Sequence, residues 1–339
     1  MTATIKDVAR VAQVSIKTVS RVINNEPHVT EDMRTRVQDA IDQLGYAPNI
    51  SARRLVQQRS YMLCILLHTS GFYQSALINK VLEVGYEYDY DILIQTYFPS
   101  QTRSKNKLSG LINERRIDGL ITTPPCDTDE LVLELVKKSR IPLVQISPYS
   151  PSPEVPSIAG DDRQGAFQMT NHLIELGHRA IAFLKGPRNH RTSQERLAGF
   201  HDALNLAQMV IDPQLELDSE FNFEGGYTAA KIAMSTQKPP TAIFGGNDEA
   251  AFGAIYALQE MGYSVPQQVS VCGFDDVLNS KNVWPGLTTV HHPVDEIADR
   301  ALSMLVALLK GEAWDHEEKV IPSRLVIRGS TAQAIQPGQ

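Results

Sequence analysis

The sequence predicts an α/β protein, an all-helical head followed by two rounds of alternating strand and helix. Three observations predict it. Apolar residues in the first 48 positions recur at helical spacing. Beyond Tyr61, short apolar runs alternate with helix-like stretches, the pattern of parallel sheets with crossover helices. The length of 339 residues also exceeds what one core usually organises, so a small head plus one or two bodies is expected.

In the head, Ile5, Val8, Ala9 and Ala12 follow i, i+3, i+4, i+7 spacing, and Val14, Val19, Val22 and Ile23 continue the seam through a second helix. With Ser15 as N-cap of that helix, Ile16, Lys17 and Ser20 or Arg21 fall on its outward first turns. Thr30 caps a third helix through Leu44, with Val37, Ile41 and Leu44 inward, and Gly45-Tyr46-Ala47-Pro48 stops it. Two short helices across a tight turn are the arrangement of a helix-turn-helix DNA reader. A plain three-helix mini-domain would show the same caps. Lys17 and Arg21 beside an exposed helix start favour DNA.

Charge supports a local DNA contact. The formal net charge is -7, but residues 1–60 hold nine cations against six anions, +3, leaving 23 against 33, or -10, for the rest. The body would repel phosphates, so the head is the contact with a polyanion. The stretch 49–57 is too short to hold a helix alone in water. If two copies met over DNA, Ala52 and Leu55 would share one face, Leu55 acting as a minor-groove wedge with Arg53 and Arg54 beside phosphates or the groove. A flexible basic linker fits the same residues, and periodicity does not decide between them.

The first round reads as strands near 62–67, 91–96, 118–122, 142–146 and 157–160, with helices near 73–88, 104–116 and 128–139. The second reads as strands near 180–185, 215–218, 242–245 and 269–274, with helices near 163–176, 193–208, 224–235 and 248–262. Residues 287–291 and a helix over 294–309 are expected to return to the first half. Cys64, Cys126 and Cys272 lack metal-like spacing and suit a reducing cytoplasm. No stretch approaches the ~18 apolar residues of a membrane span, and no export signal is seen.

Two such sheets make a hinged cleft with ligands beyond the strand C-termini. The residues just past the strands are Ser147, Asn247, Asp248, Asp275 and Asp276, with Arg196 on a helix after Gly186-Pro187 and Phe221 in a loop. Carboxylates, an amide, a guanidinium and an aromatic plane suit a polyhydroxylated, uncharged ligand. Each has a plainer reading: Asn247 or Asp248 as an N-cap, Arg196 as a surface ion-pair partner, Phe221 as core and Asp276 as a solvated turn residue. Arg188, His190 and Arg191 could accept a phosphate or form a solvated loop. The sequence holds no G-x-G-x-x-G, P-loop or G-x-S-x-G motif and no histidine-rich metal spacing, so an enzyme on this framework would lack its usual parts. A transport receptor with the same cleft would need neither the basic head nor a cytoplasmic location.

These residues resemble the lactose/galactose repressor (LacI/GalR) family of bacterial transcription factors over essentially the whole chain. Ile5-Lys6-Asp7-Val8-Ala9 and Val14-Ser15-Ile16-Lys17-Thr18-Val19-Ser20-Arg21-Val22-Ile23-Asn24 look like its DNA-binding signature, and Tyr46-Ala47-Pro48-Asn49 through Ala52-Arg53-Arg54-Leu55 look like its hinge helix. Gly177-His178-Arg179, Arg196-Leu197-Ala198-Gly199-Phe200, Gly246-Asn247-Asp248 and Val271-Cys272-Gly273-Phe274-Asp275-Asp276 resemble its effector-domain landmarks.

The resemblance implies a head over 1–48, a hinge helix and linker over 49–60, and two Rossmann-like subdomains of the periplasmic-binding-protein type. One would span about 61–161 and 291–320, the other about 162–288 and 322–330. It implies a non-enzymatic, sugar-responsive repressor without cofactor or metal, a homodimer on a near-palindromic operator. Lys6, Ser15, Ile16, Lys17, Thr18, Ser20, Arg21, Asn24, Asn49, Ser51, Ala52, Arg53 and Leu55 would meet DNA, with Leu55 levering open a central pyrimidine–purine step. Arg196, Asp275, Asn247, Phe221 and Ser147 would meet the effector, Ser147 standing where some sugar-binding members carry an acidic residue. The tail beyond Ser330 has no leucine heptads, so no tetramer of coiled-coil type is expected.

Overall fold

Local capping sets the helices of the head. The computed structural model describes residues 3–23, 27, 29–46, 59–68, 71–313 and 319–335, and contacts divide the chain into two units, Met1–Ser60 and Tyr61–Gln339. In the first unit, α1 (Ile5–Ala12), α2 (Ile16–Ile23) and α3 (Glu31–Leu44) enclose buried Val8, Ala9, Ala12, Val19, Val37 and Ala40. The Asp7 carboxylate accepts from the Thr4 N–H at 3.0 Å and the Thr4 hydroxyl at 2.7 Å, which closes the start of α1 and holds the Asp7 pKa down. Ser15 caps α2 as expected, its hydroxyl accepting from Thr18 N–H at 3.0 Å, and Thr30 caps α3 through Met33 N–H at 3.4 Å. Arg36 of α3 donates to the carbonyls of Ala12 at 2.5 Å and Gln13 at 3.3 Å, satisfying the orphan end of α1 and fixing the turn. Asn24 and the segment Asn49–Leu55, with Asn49, Ser51, Ala52, Arg53 and Leu55, lie outside the described residues.

The second unit holds two parallel sheets. Strands β1 (Met62–Leu67), β2 (Asp91–Thr96), β3 (Gly119–Thr122), β4 (Leu143–Ile146), β5 (Ser157–Gly160) and β11 (Lys319–Ile321) form one, ordered β11-β5-β4-β3-β1-β2. Strands β6 (Ile181–Lys185), β7 (Glu216–Asp218), β8 (Ala242–Gly245) and β9 (Ser270–Cys272) form the other, ordered β7-β6-β8-β9. Both place the second strand on one side of the first and the third on the other, so each has a switch point, at β1/β3 and at β6/β8.

The near-continuous apolar runs of β1 and β8 reflect burial on both faces. In the six-stranded sheet, α4 (Phe72–Glu87) and α11 (Val294–Lys310) cover Leu63 and Ile65, while α5 (Thr102–Asn113) and α6 (Glu130–Ser139) cover Cys64 and Leu66. In the four-stranded sheet, α7 (Asp162–Glu175) and α8 (Arg191–Leu206) cover Ile181 and Phe183, while α9 (Phe223–Met234) and α10 (Asp248–Glu260) cover Ala182 and Leu184. Successive strand residues thus feed opposite layers. Cys64, Cys126 and Cys272 are all buried and unbridged.

One expectation is corrected. Residues 287–291 do not return to the first half: β10 (Thr289–His291) pairs antiparallel with β12 (Arg324–Val326), and Thr288 and His291 bridge Cys272 and Asp275 alongside the four-stranded sheet. The Asp275 N–H donates to Val290 O at 2.8 Å and the Thr289 hydroxyl to Asp248 at 2.5 Å, so this segment belongs to its neighbour by hydrogen bonding. The return begins after His291, and the chain passes between the sheets there, at Asp161 and between β11 and β12. No described helix is long and apolar enough to cross a membrane.

Helices α9 and α10 meet backbone to backbone at two glycines. A Cβ on Gly226 would lie 2.1 Å from the Ala250 carbonyl oxygen, and one on Gly253 2.0 Å from that of Phe223. Neither carbonyl can move without shifting a helix, so Gly226→Ala or Gly253→Ala should each cost about 1–3 kcal/mol in urea unfolding. Gly110, inside α5 with nothing nearer than 3.8 Å, should behave oppositely, Gly110→Ala gaining roughly 0.5–1 kcal/mol. Equal midpoints for all three variants would contradict this packing.

Candidate ligand cleft and nucleic-acid interface

On the head, the start of α2 presents Ser15, Ile16 and Lys17 to solvent, Ile16 with 46% of its surface exposed, and Lys6 of α1 is also exposed. Thr18, Ser20 and Arg21 are partly buried. The Ser15 and Thr18 hydroxyls lie 2.9 Å apart, and Ser15 already accepts the Thr18 N–H, so Ser15 shapes the helix start while Ile16 and Lys17 project from it.

In the second unit, Ser147, Arg196, Phe221, Asn247 and Asp275 all line one cavity of about 470 Å³, within the ordinary range for small-molecule sites. Ser147 follows β4, Asn247 follows β8, Asp275 lies just beyond β9, Arg196 rises from α8 and Phe221 precedes α9. Both sheets contribute, each from its strand C-termini. Ser147, Phe221 and Asp275 adopt φ of 48°, 56° and 117°. Non-glycine residues pay about 1–3 kcal/mol for such backbones, which persist where surrounding structure dictates them, commonly at ligand sites.

Arg196 is the centre of the cleft floor and is buried, not a surface ion-pair partner. Its Nε donates to Asp162 Oδ1 at 2.8 Å and its Nη1 to the Gly246 carbonyl at 2.7 Å. Its Nη2 lies 3.0 Å from Asp275 Oδ1, within ion-pair reach but not aligned as a hydrogen bond. The guanidinium carbon sits 3.7 Å from the Phe274 ring centroid and 5.4 Å from that of Phe221.

One cation between two buried carboxylates cannot neutralise both. Burial pushes Asp275 up to about 8 against the pull of Arg196, and it also raises Asp162, which pairs with the guanidinium. Burial, reinforced by Arg196, drives the His292 pKa well down, leaving the ring neutral 3.8 Å from Asp162 and edge-on to Tyr73 at 5.2 Å. Ser147 Oγ, Asp275 Oδ1 and both His292 ring nitrogens are buried without a hydrogen-bond partner among the described residues. Unsatisfied buried groups are costly, and four at one floor mark where a ligand's polar groups would fit.

Other candidates resolve differently. Asn247 combines both of its readings: Oδ1 caps α10 through Ala250 N–H at 2.9 Å, and Nδ2 donates to the Phe221 carbonyl at 2.9 Å on the cavity wall. Asp248 does not line the cavity. It is fully buried, pushed up to about 6 by burial, and accepts from Ser280 and Thr289 hydroxyls at 2.5 Å and Val277 N–H at 2.9 Å. Asp276 is neither a cleft group nor a solvated turn residue, since it binds Arg328 at 2.5 Å and His291 at 3.1 Å, anchoring the C-terminal segment. Of the possible phosphate-accepting trio, only His190 lines the cavity, its pKa pushed down to about 4 by burial, while Arg188 lies 3.6 Å from Asp218 and Arg191 3.9 Å from Glu195.

Tyr73, Asp162 and His292 escaped the sequence reading. Asp162 and His292 follow β5 and β10, the strand ends leading into crossovers, and the rule that strand C-termini carry ligands would have found them had those two strands been searched. Tyr73 is the second residue of α4, and nothing in its local sequence separates it from a core aromatic. Among the described residues no His, Cys, Asp and Glu cluster could hold a metal ion.

Known proteins resemble the chain in both of its parts. Residues 4–49 match bacterial regulatory proteins of the lacI family, and residues 170–331 match a periplasmic binding protein-like domain. The chain is 32% identical over 336 residues to catabolite control protein A of Priestia megaterium, spanning 98% of this chain and 100% of that one. It is 34% identical over 332 residues to the HTH-type transcriptional repressor PurR of Haemophilus influenzae, spanning 97% and 98%. Among solved structures, the lac repressor dimer bound to operator and the anti-inducer ONPF superposes with a TM-score of 0.79 at 27% identity, covering 98% of this chain and 100% of that one. The CelR–cellobiose complex follows at 0.75 and 26%, covering 97% and 99%. The chain therefore belongs to the LacI family of bacterial transcriptional regulators, DNA-binding proteins with a ligand-binding domain and not enzymes.

Proposed function

We propose that this protein represses carbohydrate-utilisation genes and that a sugar or sugar derivative in the cleft sets its affinity for operator DNA. The observation that carries the reading is the cleft floor: mixed hydrogen-bonding groups at Ser147, Asp275 and His292 beside the Phe221 ring, with Arg196 engaged by Asp162, Asp275 and Gly246. Such a surface suits hydroxyl groups and an apolar sugar face, and it offers no ready counter-charge for a phosphate. Relatives solved with cellobiose and with ribose support the same class of ligand.

On DNA, two copies of the head would read a near-palindromic operator in the cytoplasm. Ile16, Lys17 and Arg21 would face major-groove edges, Lys6, Ser15, Thr18, Ser20 and Asn24 would hold the register, and Asn49, Ser51, Ala52, Arg53 and Leu55 would form the hinge contact, Leu55 as the wedge. The effector would act by favouring one relative orientation of the two sheets, which changes the spacing of the paired hinges. Effector and operator affinities are then linked, and by the same factor in each direction whichever sign the linkage takes.

Thermal-shift screening against a panel of neutral sugars and sugar phosphates identifies the effector, and neutral hits are expected. Titrating the best hit with and without operator should change its Kd by about 5- to 150-fold; identical values would remove the linkage. Lys17→Ala should relax base preference at one half-site position by about 1–3 kcal/mol in gel retardation, whereas a uniform loss over all sequences would mark a phosphate contact. Leu55→Ala should weaken operator binding and leave sugar affinity as it was, and undiminished operator affinity would rule out the wedge.

A further inference from the structure

Besides the crossovers and the Arg196 cluster, the two lobes touch across the cleft through side chains at its lips. The Glu249 carboxylate, on the first turn of α10 in the four-stranded lobe, accepts the Phe72 backbone N–H at 2.7 Å, at the start of α4 in the six-stranded lobe. On the far side of β3, Gln194 Nε2 of α8 donates to the Tyr149 hydroxyl at 2.8 Å. Gly71 and Glu249 both line the cavity, as do Tyr73, Gln74 and Leu77 of α4. The Phe72 N–H is one of the orphan donors of a helix start, and α4 has no side-chain cap from its own N-cap residue, Gly71. The cap is supplied from the other lobe instead. Phe72 and Phe252 add a ring contact at 6.4 Å beside it.

We infer that Glu249 is a latch: by capping α4 across the cleft it holds the two lobes in the arrangement seen here, and so sets how readily the cavity opens. The glycine before the helix is part of the device. A Cβ on Gly71 would stand 2.6 Å from Glu249 Oε1 and 2.8 Å from Gln74 Oε1, so only a residue without a side chain leaves room for the carboxylate. The atoms in the way are ends of flexible side chains, so Gly71→Ala would expel the carboxylate without disturbing a helix. Half-burial of Glu249 raises its pKa and the Phe72 N–H opposes that rise, in keeping with a carboxylate engaged by the helix start. The favourable field at a helix N-terminus acts only at short range, so the contact is lost once the lobes part. The latch depends on the two-lobed cleft and not on which effector fills it, so its test and the sugar screen fail independently.

The test uses the full-length protein with Arg103→Cys on α5 and Asn205→Cys on α8, both exposed and one on each lobe. Cys64, Cys126 and Cys272 are buried and leave the nitroxide label to the introduced pair. Electron–electron distances are recorded without sugar, with labelled chains diluted in unlabelled protein so that pairs within one chain dominate. Glu249→Gln and Gly71→Ala should each raise the longer-distance population by about two- to fivefold, from the weight of a charge at a helix start. Thermal midpoints report that each variant is folded, and either variant alone suffices. Distance distributions matching the parent in the folded variants would overturn the latch.

Discussion

The cleft depends on one buried guanidinium. Arg196 joins Asp162 on the first crossover, the Gly246 carbonyl at the end of β8 and Asp275 beyond β9, three segments distant in sequence that meet on its planar fork. A lysine could not reproduce this, because a point charge cannot bond a carboxylate and a carbonyl in one plane while stacking on Phe274. Removing Asp162 would leave the buried guanidinium without its hydrogen-bonded counter-charge, the costly way to break such a group. The odd number of charges has a chemical consequence. With one cation for two carboxyls, burial raises Asp275 toward its protonated form, in which it would present a donor as well as an acceptor to whatever enters.

Much of this architecture was legible because the signals were local. The strands β1, β2, β5 and β8 were read with their observed limits, since apolar runs bounded by polar turns leave little latitude. Ser147, Asn247 and Asp275 follow from one geometric rule, that parallel strands deliver ligands at their C-terminal ends, while Arg196 on a helix and Phe221 in a loop were singled out with the help of the family resemblance; one cavity is lined by all five. What was misread depended on tertiary pairing. Residues 287–291 look like any short strand, and only the ladder to β12 and the bridge to Asp275 fix their sheet. Asp276 differs from Asp275 by one position but turns to Arg328, a partner 52 residues away that no local pattern predicts. His292 carries no motif; its significance comes from burial without partners.

The energetics of switching then bear on the class of ligand. Moving a two-state equilibrium from one arrangement to the other almost completely requires about 5.5 kcal/mol of differential binding. A hydrogen bond between neutral groups contributes about 1 kcal/mol net, and more where it satisfies a buried atom that would otherwise lack a partner. The floor offers four such atoms, Ser147 Oγ on the six-stranded side, Asp275 Oδ1 on the four-stranded side and two His292 nitrogens at the crossover between them. A ligand that bonds groups of one lobe alone would bind open and closed arrangements alike and shift nothing. A molecule with polar groups on several sides would reach Ser147, Asp275 and His292 together, which is compatible with the proposed sugar and disfavours a ligand with a single polar edge.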